Sequence, residues 1–308
     1  MLLAACASRP PVLPQLMPGS TAAVELRDTP FFPQADYQCG PAALATVLQS
    51  TGVAVQPETL VDQVYVPAKQ GSLQVEMLAA TRRSGRIPYL IDPNPDALRA
   101  ELDAGRPVLV LQNLGLGFLP VWHYAVVVGI DPASDQVILR SGVERRQLSK
   151  ASSFLRSWQL SGNWALVALE PGEMPAHVQQ QRYISAVAVT EPMLPAVARI
   201  RAYLSALQRW PESTTARFGY AHALYDAGDL ATAEDTYLDI VTRDPRHAAA
   251  YNNLAQVLTD RGCYSQARAA ASRALEIVTV DQPALVEPVS ETLRGIPSAS
   301  NEQRECRR

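Results

Sequence analysis

The sequence predicts an α+β domain with its helices first and an antiparallel sheet last, followed by an all-α helical solenoid. Three observations predict this. Apolar residues at helical spacing dominate residues 40–83, whereas the β-branched runs "PVLVLQNL", "WHYAVVVGI", "QVILRSG" and "NWALVALE" gather between 107 and 170. Helices and strands segregated along the chain argue for α+β over a doubly wound sheet. Beyond 193 the strands stop, and small residues, glycine and proline recur every 34 positions.

The elements follow in order. Residues 1–30 hold the Pro-rich stretch "SRPPVLPQLMPGS" and read as a tether. A helix is predicted from Gly40 to Gln49, with Pro41 tolerated in the first turn because its missing N–H would have no helical partner. Further helices are expected at 57–65 and 73–83, the second with Ser72 as N-cap. "IPYLI" is a short strand, "PDALRAELDAG" a helix closed by Gly105, and "PVLVLQNL" a buried strand. "WHYAVVVGI" and "QVILRSG", joined by "DPASD", form an antiparallel hairpin in which Asp131 initiates the turn. A helix over 149–158 and the strand "NWALVALE" complete a domain spanning 31–170, and "PGEMP" opens a linker over 171–192. Residues 193–280 form the repeats, and the patternless tail 281–308 is expected to be disordered.

In the repeats, Gly228 and Gly262 are 34 apart, as are Ala221 and Ala255, Leu224 and Leu258, Ala233 and Ala267, and Pro211 and Pro245. Thirty-four is the period of tetratricopeptide repeats, which this region resembles: small residues let paired helices approach and glycine ends the first helix of each unit. "AVARIRAYLSALQRWP" resembles the second helix of a degenerate earlier repeat. Such repeats imply a protein partner or substrate held in a groove.

Composition narrows the function. At 308 residues with 47% hydrophobic composition, two real cores can form. A net charge of −3 gives no basic footprint for nucleic acid. No run approaches the roughly 18 apolar residues that cross a bilayer. Leu3-Ala4-Ala5-Cys6 resembles a bacterial lipobox, which implies lipidation of Cys6 and a place in the cell envelope, on the periplasmic side at the outer membrane. The four cysteines, Cys6, Cys39, Cys263 and Cys306, show no CxxC spacing, so no metal or other cofactor is expected. Cys263 and Cys306 are left unpaired in this reading, because Cys306 lies in a polar tail.

Cys39 falls at a helix N-terminus, where first-turn amides and aligned peptide dipoles favour a thiolate and can hold an oxyanion. A nucleophile needs a base. His222 and His247 lie on polar faces of the repeats and His177 follows the Pro-rich boundary, which leaves His123 at the start of a strand. A cysteine on a helix N-terminus and a histidine on a later sheet is what a thiol protease requires.

The stretches "Q-x-x-x-Q-C-G-P-A-x-L-A-x-V-L" and, about 80 residues later, "W-H-Y-A-V-V-V-G" resemble the double-glycine leader peptidases, papain-like cysteine peptidases that trim bacteriocin precursors. The likeness covers Phe31 to Glu170. It implies Cys39 as nucleophile, His123 as general base and acid, and Gln34 as side-chain donor to the oxyanion hole, with Gln38 as the alternative donor. Those peptidases orient the histidine with an aspartate; the corresponding position here is Ser141, which adds no negative charge. Glu144 is the second candidate, since a hairpin pairing Ile130 with Val137 brings 144 opposite 123. The first expectation is therefore a cell-envelope cysteine peptidase whose repeats recruit a protein substrate or partner. The alternative is a non-catalytic peptide- or protein-binding module that keeps the fold, and acyl or amide transfer by the same thiol is a third reading.

Overall fold

Nine consecutive residues of the first helix, Gly40 to Leu48, are buried. A helix without a polar face must be surrounded, so it marks the centre of the N-terminal unit. In the computed structural model, which describes residues 12–13, 22–34, 38–298 and 306, the chain divides into two units, 1–186 and 187–308.

The N-terminal unit runs β1 (Val24–Glu25), α1 (Cys39–Ser50), α2 (Pro57–Val64), β2 (Tyr65–Val66), β3 (Gly71–Ser72), α3 (Gln74–Arg83), β4 (Ile87–Leu90), α4 (Pro95–Asp103), β5 (Val108–Asn113), β6 (Trp122–Asp131), β7 (Gln136–Ser141), β8 (Glu144–Lys150), α5 (Ala151–Gln159) and β9 (Ala165–Leu169). The main sheet is antiparallel in the order β4-β9-β5-β6-β7-β8, and β1 pairs with the far end of β6. Its β-branched residues alternate across the pleat. Leu109, Leu111, Tyr124, Val126, Val128, Ile138 and Leu166 face α1 and pack on Leu44, Val47 and Leu48. Each of those large apolar side chains contributes roughly 1.5–3 kcal/mol by leaving water.

The α+β expectation holds, with local corrections. Ser72 does not cap α3; it pairs with Tyr65 in a small hairpin, and Leu73 takes the N-cap position. The strand β8 was missed, because "ERRQLSK" is largely exposed and its polar edge-strand character gives no apolar alternation. The tether expectation fails near its end: Arg99 donates to the Ala22 carbonyl, β1 joins the sheet, and Leu13 is buried with its amide bound to Asp135. Asp131 does initiate its turn, its carboxylate accepting the Ala133 and Ser134 amides.

The second unit begins within α6 (Gln180–Thr190), a helix that occupies much of the expected linker. It continues with α7 (Ala196–Arg209), α8 (Thr214–Asp226), α9 (Leu230–Arg243), α10 (Ala248–Asp260), α11 (Tyr264–Asp281) and α12 (Val286–Gly295). Ser213, Asp229 and the His247 ring cap α8, α9 and α10 by accepting first-turn amides. Gly228 and Gly262 sit at φ 83° and 76°, the left-handed conformation that ends the first helix of each pair. A Cβ on Gly219 would lie 2.3 Å from the Tyr203 ring, so the small residue is what lets α7 and α8 approach.

The tail is not disordered throughout. Val286, Val289 and Leu293 recur at helical spacing and, with Ile296, cover the end of the solenoid. Cys306 is joined to Cys263, contrary to the unpaired expectation: its distance in sequence and polar neighbours conceal that the folded-back helix returns the chain to the start of α11. This bond closes a segment with a sequence separation of 43, for which chain entropy gives about 4 kcal/mol of stabilisation. Cys263→Ser should therefore lower the urea midpoint of helix loss in the full chain. Identical melts for native protein and variant would refute the pairing.

Candidate active site

Cys39 is the first residue of α1 and Gln38 its N-cap. The burial of the nine residues that follow aims this end of the helix at the sheet. Gly40 keeps it close to β3: a Cβ there would lie 2.1 Å from Ser72 Oγ. The thiol is half-buried, and burial pushes its pKa above the ordinary 9.0, while the amides of Tyr124, Gly40 and Cys39 itself pull it down. The Tyr124 amide is thus near enough to the sulfur to favour its charged form.

His123 is the second residue of β6 and lies opposite Gln112 of β5. Alternation buries Tyr124 beneath α1 and turns the imidazole toward the face shared with Gln112, whose amide donates to Ser157 of α5 at 2.6 Å. His123 Nε2 lies 2.8 Å from Ser141 Oγ, the last residue of β7. Burial pushes the imidazole below its ordinary 6.5. Among the described residues the ring makes its hydrogen bond to this serine, and none joins it to the Cys39 sulfur.

Glu144 does not face His123. A bulge between Val127 and Gly129 shifts the β6–β7 register, and β7 ends at Ser141, where Gly142 at φ 59° turns the chain into β8. Glu144 then pairs with Ser141, one strand away, and is exposed. The same turn holds the segment before the helix, since the Gln34 amide donates to the Gly142 carbonyl at 3.0 Å. Buried Arg140 ties the preceding residues by donating to the carbonyls of Arg27 and Thr29. The Gln34 side-chain amide reaches the Tyr124 carbonyl at 3.4 Å, a long bond that leaves its second N–H available to another acceptor. Gln38 remains at the N-cap with no side-chain cap bond. Cys6 lies outside the described residues. Among the described residues no group of three His, Cys, Asp or Glu could hold a metal ion.

Two features were not read from the sequence. One is a cleft of about 470 Å³ on the Ser141 side of His123, walled by Gln112, Ser149, Ser152, Ser153, Arg156 and Ser157 among others. The serine-rich run "SKASSFLRSW" was its only sequence signal. Cys39 does not line it. The other is the loop joining β5 to β6, where Leu114, Leu116, Phe118, Leu119, Val121 and Trp122 are all exposed, Phe118 by 85%. Asn113 shapes this loop by accepting the Gly115 and Val121 amides, so its apolar tip is held out beside His123.

The resting thiol and the resting imidazole thus both favour the uncharged form. The serine supplies a hydrogen bond without the charge that would favour imidazolium. Such a site uses the imidazole as a base during attack, so reactivity should run from below pH 6.5, where the ring loses its proton, up to the raised thiol pKa. Ser141→Asp should add the charge, raise the imidazole pKa and speed alkylation of Cys39 by iodoacetamide at pH 7 about tenfold. An unchanged rate, followed by mass spectrometry of the Cys39 peptide, would show that residue 141 does not control the base.

Residues 26–166 match the family model described as "Peptidase_C39 like family", and residues 200–246 and 221–281 match "Tetratricopeptide repeat". Among solved structures, one described as a C39-like peptidase from Bacillus anthracis is 16% identical with a TM-score of 0.40, over 48% of this chain and 98% of that one. The TPR2B-domain:pHsp70 complex of yeast Sti1 is 16% identical with a TM-score of 0.34, over 37% of this chain and 90% of that one. No curated protein matches the chain.

Proposed function

We propose that this chain, which carries a peptidase C39-like domain followed by tetratricopeptide repeats, is a cysteine peptidase that cleaves peptide bonds with Cys39 as nucleophile. The observation that carries the reading is the placing of Cys39 at the start of α1, near enough for the Tyr124 amide to act on its sulfur, with the neighbouring imidazole of His123 held by Ser141. With Nε2–H donated to Ser141 Oγ, Nδ1 is the basic nitrogen left for the thiol proton. Sulfur then attacks the peptide carbonyl, and the first-turn amide of Cys39 and the Gln34 side chain receive the oxyanion. Imidazolium returns the proton to the departing amine, and water, deprotonated by the same ring, hydrolyses the thioester.

The apolar loop beside His123 gives the substrate a hydrophobic contact next to the scissile bond. The repeats recruit the protein substrate or a partner. The Cys263–Cys306 disulfide supports an oxidising compartment, in keeping with a cell-envelope protein lipidated at Cys6. A second reading, a peptide-binding module without turnover, is favoured by two observations: the imidazole is bonded to a neutral serine, and no hydrogen bond joins it to the thiol.

Cleavage of a peptide library by the full chain separates the two. Cys39→Ala should abolish cleavage, and His123→Ala should lower the rate by about 10²–10⁴-fold, both with unchanged circular dichroism. Absence of cleavage by the native chain, or cleavage that survives Cys39→Ala, would leave the binding reading.

A further inference from the structure

The cleft behind His123 has an uncommon lining for a site next to a catalytic base. Its charged side chain is Arg156, and hydroxyls come from Ser141, Ser149, Ser152, Ser153 and Ser157, with no carboxylate among the lining residues. The Arg156 guanidinium is exposed and makes no ion pair among the described residues. Gln112 links the two ends of the cleft: it pairs across the sheet with His123 and donates to Ser157, the neighbour of Arg156. Other titratable or charged groups on the elements packed around His123 lie elsewhere. Cys39 is at the start of α1 near the Tyr124 amide, and Arg140 is tied to the carbonyls of Arg27, Thr29 and Arg145. On β8, Arg146 pairs with Glu25, and Arg145 and Lys150 are exposed. Glu144 is exposed on β8. The cleft is therefore a pocket lined by one guanidinium and by hydroxyls, opening on the place where a thiol peptidase ordinarily holds a negative charge.

Resting on the peptidase reading, we propose that this cleft binds a carboxylate, and that the bound carboxylate supplies beside His123 and Ser141 the charge that the chain itself lacks. Arg156 pairs with the carboxylate, the Ser141, Ser152 and Ser153 hydroxyls donate to it, and Ser141 relays its charge to Nε2 through the 2.8 Å contact. The site is then switched on by its ligand: imidazolium is stabilised only when the cleft is filled, and thiolate accumulates with it. The carboxylate has two sources, a glutamate or aspartate side chain of the substrate and a free small carboxylate. In the first case the peptidase selects acidic peptides by activation as well as by binding.

The test is alkylation of Cys39 in the full chain by iodoacetamide at pH 7, with sodium acetate replacing sodium chloride at constant ionic strength. Acetate should accelerate the native protein saturably, by about tenfold, and should have no effect on Arg156→Ala. Ser141→Asp should be fast without acetate and gain nothing from it. No acceleration of the native chain, or the same acceleration in Arg156→Ala, overturns the proposal. A paired arm compares peptides with Glu or Gln at one position, without acetate. Faster cleavage of the Glu peptide, suppressed by Arg156→Ala, assigns the carboxylate to the substrate; equal cleavage with acetate activation intact assigns it to a free acid. Because alkylation requires no turnover, failure of every peptide to be cleaved would count against the peptidase reading while the acetate response still decides the cleft.

Discussion

Everything in the N-terminal unit depends on where the first turn of α1 meets the start of β6. The helix is buried along nine consecutive residues, so it cannot rotate or slide without opening the core. Its N-terminal amides and its sulfur are thereby fixed near the start of β6. Gly40 permits the close approach of β3, Tyr124 plugs the floor beneath the helix, and the Gly142 turn holds the segment carrying Gln34. The reactive groups are half-buried ends of elements whose middles are packed, which places them firmly.

Electrostatics then decide what those groups can do. Burial works in opposite directions on the two, raising the thiol and lowering the imidazole, so both favour the uncharged form. A helix N-terminus offsets this in part, through the amides that reach the sulfur. The usual remedy is a carboxylate behind the imidazole; this chain has a hydroxyl there, and behind the hydroxyl a cleft bearing a guanidinium. The absence of charge at one position and the surplus of positive donors just beyond it are two parts of one arrangement.

Much of this was legible in the sequence for identifiable reasons. The Cys39 helix, the buried strands and the 34-residue period have strong local signals, and Ser141, which bonds the imidazole, stands where the peptidases that the sequence resembles keep their aspartate. Glu144 was misplaced because a register extrapolated from Ile130 and Val137 cannot see the bulge at Val127 to Gly129, which slips the pairing by one residue. β8 was missed because an exposed polar edge strand has no hydrophobic alternation, and the C-terminal helix because only Val286, Val289 and Leu293 mark its apolar face. The cleft was invisible because β5, β7, β8 and α5 each contribute a few polar residues to it, and only the fold gathers them.

The central claim is that the sulfur at 39 and the ring at 123 act across the junction of α1 and β6. A short bifunctional alkylating agent such as 1,3-dibromoacetone tests it directly, since one bromide is displaced by the thiol and the second by a nucleophile within reach. The account predicts a single adduct that loses both bromides and, after digestion, a linked pair of peptides containing Cys39 and His123. Adducts on Cys39 alone, with the His123 peptide recovered unmodified, would contradict it.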